Sequence, residues 1–169
     1  MLDHKTKNTF FHRFQVECVG PNGKVKWNAD DGNIIVDTGL DEILDKFWKG
    51  STYSASHFVG LTSAAPTVDA TDTMASHAGW TEVANYTEGT REALTLGSVA
   101  SQSVDNTASK ASFSVNATVT IGGSFITTDS TKSGTSGILI GAVAFTGGNK
   151  VADDGDTLNV TVTLSSSSV

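Results

Sequence analysis

Apolar and polar residues alternate along much of the chain, as they do in β-strands that bury one face. In residues 10–19, Phe14, Val16 and Cys18 alternate with polar side chains, which predicts a first strand that ends at a turn at residues 20–23. The same kind of pattern predicts further strands. They fall at about residues 24–28, 34–36, 57–61, 92–96, 111–120, 123–128, 138–145 and 157–164.

One segment, at about residues 39–49, has the spacing of an amphipathic helix instead. Large apolar side chains recur there at intervals of three and four, Thr38 precedes them as a candidate N-cap, and Gly50 follows as a terminator. We expect this helix to pack its apolar stripe against the β core. The stripe consists of Leu40, Ile43, Leu44, Phe47 and Trp48.

Short strands separated by Gly- and Asp-rich turns are typical of a mainly β domain, either jelly-roll-like or a β-sandwich, here with one helix. We expect an N-terminal arm and first strand over residues 1–20 and a β-rich domain over residues 21–164. Residues 165–169 are mostly serine with nothing to bury, which predicts a frayed tail.

Composition limits the classes of partner. The formal net charge is −7, and a nucleic-acid partner is disfavoured because phosphate neutralisation needs a basic stripe. No membrane span or signal peptide is apparent, so we expect synthesis in a cytoplasm and no membrane partner. Only 17% of residues are charged, and hydroxyl side chains are abundant. Such a surface costs less to desolvate than a charged one and therefore suits packing between subunits.

Candidate chemistry is sparse. The four histidines lack the close spacing of metal ligands, and the single cysteine, Cys18, is predicted to be a buried hydrophobe rather than a reactive thiol. Residues 153–156 resemble part of a calcium loop but lack its alternating ligands, so a turn is favoured. No Gly-x-Ser-x-Gly motif is present. We expect no catalytic residue, no metal and no cofactor, and hence no enzyme.

The run from Asp72 to Glu82, followed by Tyr86 and Arg91, resembles a pattern of virion structural proteins of tailed bacteriophages. With the helix segment and the later strands, the resemblance covers roughly residues 33–164. It implies a capsid decoration, or cement, protein that is made in the bacterial host cytoplasm. Such a protein binds the major capsid protein on the outer surface of the virion as a homo-oligomer, with a homotrimer favoured.

Two other functions remain open under the same resemblance. One is a host-recognition or fibre-associated module that binds carbohydrate, for which Trp27, Asn28 and Trp48 are the available side chains. The other is a head–tail or tail joining protein.

The interface candidates are the aromatic residues near the N-terminus, because exposed aromatic side chains anchor interfaces. They are Phe10, Phe11, Phe14 and Trp27. The alternative is that the phenylalanines fill the core face of the first strand, and this alternative is favoured for Phe14.

A structural corner is predicted at Asp72, His77, Gly79 and Trp80. A single helical turn capped by Asp72 and closed by Gly79 would swing the Trp80 ring into the core, where its large area anchors the loop. We favour this interpretation over a ligand site.

Overall fold

Antiparallel β-sheets account for most of the chain in the computed structural model, which describes residues 8–53 and 56–168. The described strands are β1 (Asn8–Val19), β2 (Val25–Gly32), β3 (Ile34–Ile35), β4 (Phe58–Thr62), β5 (Glu82–Val83), β6 (Glu92–Ala93), β7 (Ser103–Asp105), β8 (Ala111–Ser114), β9 (Val119–Ile121), β10 (Gly123–Thr127), β11 (Leu139–Ala144), β12 (Lys150–Ala152) and β13 (Thr157–Ser168). The helix α1 (Asp37–Ile43) continues as a π-helical turn, Leu44–Trp48, and a 3₁₀ turn spans Thr107–Ser109.

The strands form two main sheets. The first has the order β2–β1–β13–β7, with β8 on another part of β13; the second has the order β3–β11–β10–β4–β5, with β6 also on β4. Side chains from both sheets meet in one core cluster, which includes Phe14 and Val160 from the first sheet and Leu61 and Val143 from the second. The mainly β fold with one helix is confirmed. The shared core supports the β-sandwich alternative, whereas the jelly-roll alternative stays a prediction.

The long ribbon of β1 and β13 explains the alternation at the start of the sequence. Val16 lies opposite Val160 and Cys18 lies opposite Leu158, and all four side chains are buried. Side chains directly opposite each other in a ladder share one face of the sheet. The polar residues between them therefore point to solvent, and the predicted burial of Cys18 is confirmed.

The C-terminal serines do not form a frayed tail. Residues 165–168 pair with residues 8–11 of β1, because backbone hydrogen bonds hold a strand even where it has no apolar side chain. On its other side, β1 pairs with β2 only from Arg13 onwards. No described strand therefore pairs with that side of residues 8–11. Residues 1–7 of the predicted arm and Val169 of the predicted tail lie outside the described residues.

The second sheet is covered on both faces, and all five residues of β10 are buried as a result. Ile126 faces the core shared with the first sheet. On the opposite face, Phe125 packs with Met74 and Trp80 from the loop that precedes β5. This loop forms the predicted corner, although Thr73 and Ser76 close a tight turn there rather than a helical one.

Helix α1 begins earlier than predicted and without the predicted cap. Its N-cap is Val36, and no side chain caps it. The Thr38 hydroxyl donates instead to the carbonyl oxygen of Leu139, 2.8 Å away, and so ties the helix to β11. At the other end, Gly50 adopts a left-handed φ of 75° just after the C-cap Lys49, as expected of a terminating glycine.

Candidate interaction surface

The apolar stripe of the helix points mainly into solvent. Leu40 is 39% exposed, Leu44 56%, Phe47 74% and Trp48 76%. The prediction that this stripe packs on the β core is therefore wrong. Together with Tyr53, which is 55% exposed, these four side chains form a surface that we call the helix patch.

The helix meets the second sheet through its smallest residue. A Cβ atom at Gly39 would overlap the carbonyl oxygen of Ile140 in β11, so this side of the helix lies directly on the strand backbone. Ile43, one turn later, is half-buried. The rest of the stripe is turned away, because an apolar arc this wide cannot contact one flat sheet along its whole width.

Charges beside the helix patch are paired within the helix. The Asp45 carboxylate lies 2.9 Å from the Lys49 ammonium and 3.3 Å from that of Lys46, and it accepts a hydrogen bond from the Ser51 hydroxyl. The hydrogen bonds from Lys49 and Ser51 lower the pKa of Asp45 to about 2. Glu42 lies 3.9 Å from Lys46, one turn away. These four charges therefore balance one another along this border of the helix patch.

A cavity of about 410 Å³ lies beside the helix patch. Phe47 and Tyr53 belong to both, so the patch continues into the cavity. The volume falls within the range of about 300–1,000 Å³ that is usual for small-molecule pockets. Much of the wall is aliphatic. It includes Ile43, Leu94, Leu96, Ile126, Ile140 and Leu164.

Two histidines line the same cavity, and His12 is buried. Its Nδ1 atom lies 3.2 Å from the Asn33 amide nitrogen, so Nδ1 accepts and the ring proton lies on Nε2. Burial, and to a lesser extent the charge of His57, lower the pKa of His12 to about 4. Burial also lowers the pKa of His57, although Glu42 opposes this shift. Both rings favour the neutral form, so the charged groups of the cavity wall are Glu42 and Lys46, which lie 3.9 Å apart.

The interface candidates on β1 divide into two groups. Phe10 and Phe11 are 46% and 50% exposed, on the segment where one side of β1 has no described partner. Phe14 is only 1% exposed and belongs to the core, which contradicts its candidacy as an interface residue and agrees with the favoured alternative. We call residues 8–11 the arm.

The fourth interface candidate, Trp27, makes contacts within the domain. It is half-buried, its indole N–H donates to the carbonyl oxygen of Val151 at 2.7 Å, and its ring packs edge-on against Phe145. Asn28 follows on the same strand and therefore points to the opposite face. The structure thus does not bring Trp27 and Asn28 together, as the carbohydrate-binding alternative requires.

The residues of the predicted corner do come together. The Trp80 ring is 4% exposed, its N–H donates to the Asp72 carboxylate at 3.1 Å, and the His77 ring stacks on it with centroids 3.8 Å apart. A Cβ atom at Gly79 would overlap the carbonyl oxygen of Thr67. Asp72 thus binds the tryptophan instead of capping a helical turn. The Asp72 carboxylate, the Trp80 N–H and the His77 Nδ1 atom all have hydrogen-bond partners inside the domain, so the geometry is that of a structural anchor.

The buried ion pair between Arg91 and Glu82 was not predicted from the sequence. The Arg91 side chain is fully buried and donates two hydrogen bonds to Glu82, at 3.0 and 2.8 Å. It also donates to the carbonyl oxygens of Asp129 and Gly134, at 2.8 and 2.7 Å. These contacts satisfy the guanidinium internally and fix the loop between β10 and β11. Their sequence separation leaves no local pattern by which they could be predicted.

A second polar group closes the turn before β13. The Asp156 N–H donates to the Asp153 carbonyl oxygen at 3.0 Å, and Gly155 has a φ of 86°, which confirms the predicted turn. Lys26 lies 2.6 Å from the Asp156 carboxylate.

Burial, and then the nearby Asp156 carboxylate, raise the pKa of the Cys18 thiol to about 12. The thiol is therefore protonated and unreactive at neutral pH.

Other kinds of site find no support in the described part of the chain. Within it, no three histidine, cysteine, aspartate or glutamate side chains are grouped so that they could hold a metal ion. Nor does it contain a helix long and apolar enough to cross a membrane. Comparisons with protein-family models, curated proteins and solved structures gave no match.

Proposed function

We propose that this protein is a structural component of a phage particle that binds the outer surface of the capsid lattice as a decoration, or cement, protein. The observation that carries the proposal is the coexistence of a complete core with large exposed apolar side chains. Twenty buried residues fill the main core cluster, yet the helix patch and the arm leave Phe10, Phe11, Phe47 and Trp48 in solvent. Exposed apolar surfaces of this kind mark interaction sites.

The composition and the phage resemblance favour a capsid as the partner that these exposed apolar surfaces bind. A cement protein works by adhesion through many copies, so it needs surfaces rather than reactive groups. The hydroxyl-rich, weakly charged surface suits close lateral packing. The part of the chain that resembles virion proteins most clearly, Asp72 to Glu82, forms the anchor of the second sheet, and it would thus belong to the scaffold rather than to the contact surface.

The arm is our candidate for the contact with the major capsid protein. On one side, residues 8–11 pair with no described strand, so backbone N–H and C=O groups there could pair with a strand of the capsid subunit. Strand addition of this kind takes affinity from the backbone and specificity from the flanking side chains. Phe10 and Phe11 lie on opposite faces of the arm, and their side chains would supply this specificity.

The test is to mix the purified protein with capsids that lack it and to count bound copies by cryo-electron microscopy. We expect saturable density at symmetric lattice positions, and binding that changes little with salt because few charges are available for screening. The variant Phe10→Ala/Phe11→Ala should lose most of the bound copies. The matched control is Val25→Ala, which removes a side chain 51% exposed on β2.

Other outcomes would overturn the assignment. Density confined to the tail or to one vertex would assign the protein to the joining or fibre class. Absence of binding to any part of the particle would refute the virion role. Loss of binding in both variants alike would point to a general loss of fold rather than to the arm.

A further inference from the structure

We infer that the helix patch is a self-association surface, where two copies meet about a twofold axis and the Trp48 ring of each enters the cavity of the other. This inference deepens the proposed function and rests on it only for its biological setting. It names the surface through which copies hold one another, separately from the arm that holds the lattice.

The first argument is area. At the area of about 150–250 Å² that a large aromatic side chain can bury, the exposed fractions of Phe47, Trp48 and Tyr53 amount to roughly 400 Å², and the exposed parts of Leu40 and Leu44 add to this. A standard interface buries about 800 Å² on each partner. The helix patch therefore supplies a large share of one side of such an interface, and its charged border would supply the rest.

The second argument is shape. In a twofold contact the same surface meets itself, so one surface must carry both the projecting group and the recess that receives it. The helix patch meets this condition. Phe47 and Trp48 project into solvent, with their rings packed edge to face at 5.1 Å, beside an apolar cavity of about 410 Å³. A different partner would have to supply a matching pair of features, whereas a second copy already carries them.

The third argument is charge. The chain carries a net charge of −7, which opposes self-association unless the contact itself is balanced. Along the helix, Asp37 and Asp41 lie near the start, whereas in the second half Lys46 and Lys49 are balanced by Glu42 and Asp45. When two such helices cross in antiparallel directions, each acidic end faces the partner's lysine-containing, neutral end rather than a second acidic end. The two helix dipoles are then antiparallel, which is also a favourable electrostatic arrangement.

The experiment is sedimentation equilibrium of the full chain, without capsids, over a range of protein concentrations. We expect a monomer–dimer equilibrium with a micromolar dissociation constant, which Trp48→Ala weakens at least about tenfold, as for a central tryptophan anchor. Leu96→Phe, which fills the cavity from its wall, should weaken it similarly. The control Val151→Ala, a residue 51% exposed on β12, should leave the constant unchanged. Melting curves of each variant show whether the fold is intact.

A charge-swap pair tests the antiparallel arrangement. Lys49→Glu and Asp41→Lys each place like charges across the twofold axis, so each variant alone should associate less tightly than the wild type. An equimolar mixture should recover association, because each new charge then faces its opposite. Failure to recover would overturn the antiparallel contact.

Three further results would overturn the inference. They are a monomer at every concentration, an association that Trp48→Ala does not weaken, and, in place of a dimer, the homotrimer that the phage resemblance favours. None of them bears on particle binding through the arm. Conversely, a protein that dimerises through Trp48 but binds no capsid would refute the proposed function and leave this inference standing.

Discussion

Replacing Leu44 by alanine is expected to change the free energy of unfolding only slightly, because this side chain is already 56% exposed. Full burial of a leucine side chain stabilises a protein by about 1.5–3 kcal/mol, so the covered part of Leu44 contributes about 1 kcal/mol. The higher helix propensity of alanine offsets a few tenths of a kcal/mol. We therefore expect Leu44→Ala to cost about 0.5–1 kcal/mol.

The matched control is Leu139→Ala, which truncates a fully buried leucine in the cluster around Phe125. It should cost about 2–5 kcal/mol. Urea unfolding of both variants gives the comparison, at a protein concentration low enough to prevent self-association, since dimer formation would add to the apparent stability. Equal losses at high dilution would mean that Leu44 is buried in the monomer, and the helix patch would then not exist as described.

Three further predictions concern buried polar groups. Glu82→Ala should lower the free energy of unfolding in urea by about 3–5 kcal/mol, because it leaves the buried Arg91 charge without its partner. The apolar double variant Glu82→Leu/Arg91→Met should recover most of this loss. A loss below about 1 kcal/mol for Glu82→Ala would contradict the buried ion pair. The pKa of His12 is about 4 in the folded protein, below the ordinary histidine value of 6.5 that applies in the unfolded chain, so the unfolded chain binds more protons between these values. Stability should be full above about pH 6.5 and fall as the pH drops towards 4, and His12→Gln should flatten this part of the profile. The Cys18 thiol should resist iodoacetamide in the native protein and react once urea unfolds it; rapid native reaction would show that it is accessible.

The β fold was predictable because burial in a sandwich leaves a direct trace in the sequence. Val16 and Cys18 alternate with solvent-facing residues, and the structure buries them opposite the apolar residues of β13. The strand at the C-terminal serines was missed for the same reason. A ladder that only backbone groups hold leaves no side-chain pattern.

The helix was predictable in place but not in orientation. Its wide apolar stripe indicates a helix at residues 39–49 and does not say which part of the stripe meets the domain. Gly39 decides this, because only a residue without a Cβ allows the helix backbone to lie against Ile140. Its position beside the stripe was visible in the sequence. What it contacts depends on β11, about 100 residues further along the chain, and no local pattern encodes that contact.

The arm and the helix patch differ in the kind of contact that each can make, and this difference has a measurable consequence. A strand edge offers backbone donors and acceptors in a fixed register, so contacts through the arm are directional. A helix satisfies its own backbone, so the helix patch offers apolar area and shape instead. The arm would therefore determine where each copy binds the lattice, and the helix patch would determine whether neighbouring copies help one another to bind.

Binding curves on capsids separate these two roles. Phe10→Ala/Phe11→Ala should lower the affinity of every site, because each copy loses its own contact with the lattice. Trp48→Ala should leave the lattice positions and the saturating number of copies unchanged while it makes the binding curve less steep, because bound copies no longer favour their neighbours. The reverse pattern, in which Trp48→Ala abolishes occupancy and the arm variant only flattens the curve, would exchange the roles of the two surfaces.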